Sequence, residues 1–226
     1  PHCFLFVEEP RYVALTGVSR AVKEGEKVSG DQYAALESEK GKLILLLSDG
    51  TGSGEDAGKG SGRVMDLMEK MLEAGFGSEA SVNLLNSALY AQNEEEDHPT
   101  IDICSLDLYT GDCEICKVGG AVTFRKSRRG VEGIGAETLP LGIFQKAPVE
   151  RQSCRLQPGD TLVMMTDGVL DMLEDGEERM AELLSGIEEQ NPQEIAEKIL
   201  SYAICASGGR IRDDMTILVL SFWENK

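Results

Sequence analysis

Two stretches of this chain share one local grammar, and it narrows the fold more than any other feature. They are Leu43-Ile44-Leu45-Leu46-Leu47-Ser48-Asp49-Gly50 and Thr161-Leu162-Val163-Met164-Met165-Thr166-Asp167-Gly168. Each is a short apolar run, of strand length, that closes on a hydroxyl, an aspartate and a glycine. Both read as buried strands. A third acidic pair, Asp213-Asp214, stands just before the apolar run Met215–Leu220, at the start of a strand. Antiparallel pairing sets the end of one strand beside the start of its neighbour, so Asp49, Asp167 and Asp213 are expected to meet at one rim.

Clustered carboxylates repel one another unless a cation joins them, and oxygen ligands without His or Cys favour Mg2+ or Mn2+ over zinc. The rim is therefore expected to be a hard-metal site. Gly50 and Gly168 let the backbone turn and approach an ion, with the Gly50 carbonyl as a further ligand. Ser29-Gly30-Asp31 supplies a fourth carboxylate ahead of another half-apolar segment. Two other motifs fail in the same loop. A phosphate-binding P-loop needs Gly first and Ser or Thr last, where Ser53 and Gly60 stand. A calcium-binding EF-hand loop beginning at Asp49 needs a bidentate Glu where Gly60 stands.

Further strands are expected over Tyr12–Val18, Ile101–Leu108, Glu114–Val118 and Ala121–Arg125, with turn signals such as Thr110-Gly111-Asp112 between them. Val64, Leu67, Met68, Met71 and Leu72 follow the stripe of a helix packed by one face, with Met65, Met68 and Met71 as core filler. A second helix is expected after Gly77, with Ser78 as N-cap and Val82, Leu85 and Leu89 buried. Asn191-Pro192-Gln193-Glu194 offers an N-cap, Pro in the first turn and Glu at the third position of another helix. These elements add up to an α+β fold of two antiparallel sheets covered by helices, one domain over residues 1–226. The chain opens on Pro1 and is expected to be a piece of a longer protein.

The charge balance of 22 basic to 40 acidic residues, net −18, disfavours nucleic acid and anionic lipid as partners. Much of the acidic excess, as in Glu94-Glu95-Glu96-Asp97, reads as solvated surface. No apolar run approaches the ~20 residues of a membrane span, so this segment is expected to work in the cytoplasm without membrane contact, any anchor lying elsewhere in the full protein. Six cysteines, Cys3, Cys104, Cys113, Cys116, Cys154 and Cys205, read as reduced thiols. Cys113-Glu114-Ile115-Cys116 lacks a second pair, and the two histidines, His2 and His98, do not complete a zinc site. Arg125-Lys126-Ser127-Arg128-Arg129 reads as a solvated hairpin.

The ordered set Ser29-Gly30-Asp31, Ser48-Asp49-Gly50-Thr51-Gly52-Ser53-Gly54, Lys117-Val118-Gly119-Gly120, Leu139-Pro140-Leu141-Gly142-Ile143, Thr166-Asp167-Gly168 and Asp213-Asp214-Met215-Thr216 resembles the metal-dependent 2C-type (PPM) protein phosphatases. Within that class it is most similar to the catalytic domain of the stage II sporulation protein E family. The resemblance spans nearly the whole chain and implies an α-β-β-α sandwich with two Mn2+ or Mg2+ ions between the sheets. It implies that Asp49 bridges both ions, that the Gly50 carbonyl binds one, that Asp167 and Asp213 bind the other, and that Asp31 acts through water. The implied reaction is hydrolysis of phosphoserine or phosphothreonine on a protein, with an anti-anti-sigma factor of the STAS type as substrate and sporulation as the process. A regulatory domain or a second copy of the chain is the further partner implied. Thr51 stands where animal relatives carry a general-acid His, and Glu26 where they carry a phosphate-gripping Arg. A stress-response phosphatase of the same fold, or a silent binding module that keeps the fold alone, are the alternatives.

The glycines at 50, 52, 54, 58, 60 and 62 predict a loose loop after Asp49. This segment and the two helices that follow, the first bearing Val64, Leu67, Met68 and Met71, are then expected to act as a switch on metal occupancy.

Overall fold

The computed structural model describes residues 8–38, 41–92, 98–147 and 149–225. His2, Cys3 and the acidic run 94–97 lie outside them. The chain begins with β1 (Tyr12–Ala21), β2 (Gln32–Ser38) and β3 (Lys42–Ser48), followed by helices α1 (Glu55–Glu73) and α2 (Ser78–Gln92). Next come β4 (Ile101–Asp107), β5 (Asp112–Val118), β6 (Thr123–Ser127), β7 (Gly130–Ile134), β8 (Glu150–Arg155) and β9 (Thr161–Met165). The short α3 (Asp167–Leu170), then α4 (Gly176–Gly186) and α5 (Pro192–Ala206), lead into β10 (Met215–Glu224). The strands form two five-stranded sheets, ordered β1-β10-β9-β6-β7 and β2-β3-β4-β5-β8. All pairs are antiparallel.

The period of two along each strand divides the apolar residues between faces. Leu43, Leu45 and Leu47 of β3 meet Leu162, Met164, Leu218 and Leu220 in the layer between the sheets. On the outer face of the second sheet, Leu46, Ile101, Ile103 and Val118 pack against Val64, Met68, Val82 and Leu85 of α1 and α2. On the outer face of the first, Val163, Met165, Ile217 and Val219 pack against Met180, Leu184, Ile195 and Ile199 of α4 and α5. Each buried aliphatic chain contributes about 1.5–3 kcal/mol of transfer free energy, so three stacked cores hold the four layers. The result is the expected sandwich of two antiparallel sheets flanked by helices. Among the described residues, no helix is long and apolar enough to cross a membrane.

Three strands, β2, β7 and β8, were not expected from periodicity. All three are edge strands. Nearly every residue of β8 is exposed, and β2 alternates half-buried with exposed positions. Their places come from the backbone ladder of a neighbour rather than from an apolar face of their own.

Two expectations about the helices need correction. The glycine-rich segment is only partly a loop, because α1 begins at Glu55 and takes in Gly58, Gly60 and Gly62. Leu67 is 47% exposed, while Met65 and Met68 are buried. The buried face is thus rotated from the expected stripe toward the residues that meet β2 and β3. Helix α2 starts at Ser78 itself, and Ser81 N donates to Gly77 O, so Gly77 and not Ser78 precedes its first turn. The start of α5 is as expected, with Asn191 Oδ1 accepting from Gln193 N at 2.9 Å and Pro192 in the first turn. Gln193 also reaches the edge strand β1: its Oε1 accepts from Val18 N at 3.0 Å and its Nε2 donates to Val18 O at 2.9 Å.

Cys113 and Cys116 face opposite sides of β5, one in the layer between the sheets and the other under α1 and α2. The five described cysteines are free thiols. In the basic segment, Arg125 is held by Asp160 at 2.7 Å, while Ser127 and Arg129 lie in the β6–β7 hairpin.

Candidate metal centre

The two aspartates of the shared grammar sit at strand ends, but in different sheets. Asp49 follows β3 of one sheet and Asp167 follows β9 of the other. Strands β9 and β10 are neighbours, with Met165 opposite Ile217, which places Asp167 near Asp213 as antiparallel pairing requires. Asp49 and Asp31, on the other hand, approach them across the gap between the sheets. The rim is therefore shared between two sheets, a correction to the expected run of adjacent strands.

Asp49 is fixed by Thr100, at the head of β4. Asp49 N donates to Thr100 Oγ1 at 3.1 Å, Ser48 Oγ donates to Thr100 O at 2.7 Å, and Thr100 N donates to Asp49 O at 2.9 Å. Asp31 is fully buried at the head of β2. Its Oδ2 accepts from Thr166 Oγ1 at 3.0 Å, a bond that crosses from one sheet to the other. Thr166 Oγ1 in turn accepts from Thr216 N at 3.0 Å. The hydroxyl before Asp167 thus connects three elements of the rim.

The glycines serve closer packing than sequence alone suggests. A Cβ on Gly50 would fall 2.5 Å from Ala57 O, and one on Gly168 would fall 2.1 Å from Asp214 O. Neither contact leaves room for a side chain.

Asp31, Asp49 and Asp167 come together, the other two close enough for their charges to act on Asp49. Burial, with the Asp31 and Asp167 carboxylates beside it, pushes Asp49 up to about 10. Burial also raises Asp31 to about 6, against the pull of hydrogen bonds from Thr216 and Thr166. Asp213 is not drawn into this group: its side chain is 47% exposed and lies 3.8 Å from Lys23 Nζ. Burial, and then the charges of Asp167 and Asp213, raise Asp171 on the same rim. Among the described residues, no three His, Cys, Asp or Glu side chains stand ready as a ligand set.

The donor chemistry nonetheless fits a hard cation. Asp31 Oδ1 is buried with no hydrogen-bond partner among the described residues, and burial with two carboxylates beside it disfavours the charged form of Asp49, which nearby positive charge would restore. A divalent ion would supply both a partner for Asp31 Oδ1 and a positive charge beside Asp49.

Several further side chains shape this rim. Asp214, adjacent to the expected ligand, is buried and accepts from Gly30 N at 2.7 Å and Lys23 N at 2.9 Å. The guanidinium of Arg20 donates to Asp31 O at 2.6 Å and to Thr216 Oγ1 at 3.2 Å, and lies over the Tyr33 ring. His98 N donates to Thr51 Oγ1 at 2.8 Å, and its ring lies 3.1 Å from Leu141 O. Glu26 lies against Gly54, at the start of α1, where a carboxylate suits the helix dipole. Inside the sandwich, Asp102 and Lys117 form a buried ion pair, and Lys117 Nζ also donates to Thr123 Oγ1 at 3.0 Å. Burial raises the Asp102 carboxyl, and the Lys117 ammonium opposes the rise. Arg20, Thr100 and Asp102 stand outside every motif of the sequence, and only their folded neighbours mark them; Asp214, Lys117, Thr166 and Thr216 stand within motifs, but their contacts show only in the fold.

The loop motifs support this rim. Gly119 N donates to Thr138 Oγ1 at 2.8 Å, and Leu141 N donates to Pro99 O at 3.0 Å. Asn86 of α2 accepts from Gly142 N at 2.9 Å and donates to Phe144 O at 2.9 Å.

Comparison with known proteins identifies the family and the fold. The family model described as Stage II sporulation protein E matches residues 39–223. The chain is 34% identical over 217 residues to Stage II sporulation protein E of Bacillus subtilis (strain 168), covering 95% of this chain and 26% of that protein. It therefore spans about a quarter of that relative. The solved structure of the PP2C phosphatase domain and a fragment of the regulatory domain of SpoIIE from Bacillus subtilis superposes with a TM-score of 0.90 at 33% identity, covering 96% of this chain and 64% of that one. RsbX in complex with magnesium shares the fold, with a TM-score of 0.71 at 22% identity, covering 97% of this chain and all of that one.

Proposed function

The chain belongs to the Stage II sporulation protein E family of PP2C-type phosphatases, and from that premise we propose that it is a metal-dependent protein serine/threonine phosphatase. The observation that carries the reading is the meeting of Asp31, Asp49 and Asp167 across two sheets, with Asp31 Oδ1 buried and without a hydrogen-bond partner among the described residues. Asp49, the Gly50 carbonyl, Asp167 and Asp213 would hold two Mn2+ or Mg2+ ions, with Asp31 acting through water. When bound, such ions supply Lewis acidity to a water nucleophile and to the phosphoryl oxygens.

The chain's own residues set the frame. Thr166 and Thr216 orient Asp31, and Thr100 orients Asp49. Arg20 and Lys23 put positive charge at the rim, where a phosphoryl group would approach. Lys23 Nζ is only 3.8 Å from Asp213, so an ion that drew Asp213 in would loosen that pair and leave Lys23 for an anionic substrate. The substrate of this reading is a phosphoserine on a STAS-type anti-anti-sigma protein, with sporulation as the process and the cytoplasm as the place. A regulatory domain or a second copy would act through α1. Ser61 Oγ on that helix donates to Gly30 O, so a shift of α1 moves the turn that carries Asp31.

The test is release of phosphate from a phosphoserine STAS protein with Mn2+, Mg2+ or Zn2+ after treatment with EDTA. Turnover with Mn2+ or Mg2+, and its loss in Asp49→Asn and Asp167→Asn, is the expected result. Binding of the phosphoprotein without turnover under any metal would make the chain a silent module. Turnover restored by zinc alone would contradict the metal assignment.

A further inference from the structure

Asp102 and Lys117 occupy a place where an apolar pair would be ordinary. They are directly opposite one another on β4 and β5, and Asp102 is opposite Leu47 of β3. Leu47 and the residues two along from the pair, Cys104 and Ile115, belong to the core between the sheets. Both charged residues are about 2% exposed. Exchange of such a pair for apolar residues is often neutral or stabilising, so stability alone does not account for it.

The hydrogen bonds show a direction. Lys117 binds Asp102 Oδ2 and crosses to Thr123 of the other sheet. Asp102 Oδ1 is buried and has no partner among the described residues. The carboxylate lines a cavity of about 10 Å3 together with Asp49, Asp167, Thr100 and Thr166. That volume is about what one water molecule needs, and a polar wall of this kind is where a buried water is held. Thr100 ties Asp49 to the first residues of the strand that carries Asp102, so the two carboxylates are held in one frame.

We propose that Asp102, held by Lys117, is a positioning residue of the metal centre: its free Oδ1 fixes a buried water that bridges it to the carboxylates of Asp49 and Asp167. The inference rests on the reading of that cluster as a cation site. Lys117 balances the charge of Asp102, so the pair adds an oriented acceptor behind the ligands without adding net charge. The water fixed by Oδ1 limits which way the Asp49 and Asp167 carboxylates turn and keeps their outward oxygens toward an ion. Partners behind metal ligands commonly set affinity in this way.

The experiment measures Mn2+ affinity of the 226-residue chain by electron paramagnetic resonance of the free ion, beside thermal unfolding. The variants are Asp102→Asn, the double variant Asp102→Asn with Lys117→Met, and Asp49→Asn. Asp102→Asn is expected to weaken Mn2+ binding on the order of 10–100-fold. The double variant removes the unbalanced ammonium yet still lacks the carboxylate, so it is expected to stay weakened. It also carries the test if Asp102→Asn alone fails to fold. Wild-type affinity in the folded double variant would overturn the proposal, since charge balance alone would then suffice. The metal-centre reading stands or falls separately: it fails if Asp49→Asn binds Mn2+ as tightly as the wild type, whatever Asp102 does.

Discussion

Asp214 accepts the Gly30 amide at 2.7 Å, and through that bond the head of β10 in one sheet is tied to the turn before β2 in the other. The two residues adjoin Asp213 and Asp31. The spacing of two expected ligands is thus held by a bond that neither of them makes. Asp214→Ala would leave the Gly30 and Lys23 amides without their acceptor, at about 1–3 kcal/mol for each amide that stays buried. It is expected to lower the denaturation midpoint and weaken Mn2+ binding together. A variant that loses stability but binds Mn2+ as before would separate the two effects and refute the link.

The raised acids give the metal-free chain a pH dependence of definite sign. Asp31 and Asp49 stand at about 6 and about 10, above the value of 3.8 for a free Asp side chain. A raised acid holds its proton more tightly when folded, so its contribution is complete below about pH 3.8 and is lost as pH climbs through the folded value. In EDTA, the wild type is expected to lose stability relative to Asp49→Asn from about pH 4 upward, with a slope of at most ~1.4 kcal/mol per pH unit for one proton. Chemical denaturation from pH 5 to pH 8 reads this directly. Parallel stability curves for the two proteins would show that Asp49 is not held protonated.

Two glycines of α1 should respond in opposite ways to alanine. A Cβ on Gly62 meets nothing within 4 Å, whereas one on Gly58 falls 2.9 Å from Ser29 O. Gly62→Ala is expected to stabilise the fold by about 1 kcal/mol through helix propensity. Gly58→Ala gains the same propensity but must push α1 off the turn that leads to Asp31. Its Mn2+ affinity should fall while that of Gly62→Ala stays level. Equal affinities for both folded variants would leave α1 with no hold on the centre.

Met68 is fully buried among Leu46, Val82 and Ile103, and Leu67 is 47% exposed one residue away. Met68→Ala is therefore expected to cost about 2–5 kcal/mol, and Leu67→Ser to stay within about 0.5 kcal/mol. The urea midpoints of the two variants decide it. A large loss at Leu67 would mean that the exposed side chain is covered by a partner in the assay.

The parts of this fold that were legible are those whose burial shows as an unbroken apolar run. Strands β3, β9 and β10 announce themselves in this way, and with them the neighbourhoods of Asp49, Asp167 and Asp213. The edge strand β8 does not, because Glu150–Arg155 bury little and owe their conformation to the β5 ladder. Asp102 was hidden for a different reason. In Ile101-Asp102-Ile103-Cys104 it looks like the polar half of an alternating strand, and only the register with Lys117 and the second sheet behind it shows that its side chain is enclosed. Within Asp213-Asp214 the sequence offers two equal acids. Their roles separate only when one is seen beside Lys23 and the other beneath two backbone amides.

Gln193 has a consequence beyond the helix it helps to start. Strand β1 is one of the two edges of its sheet, and an open edge is a template on which a strand from another molecule can add. At Val18 the amide and the carbonyl that such a strand would seek are both taken by the Gln193 carboxamide, which imitates a peptide group. One helical side chain thus closes the middle of the edge against intermolecular pairing without a further strand, a safeguard that matters most when many copies are crowded together.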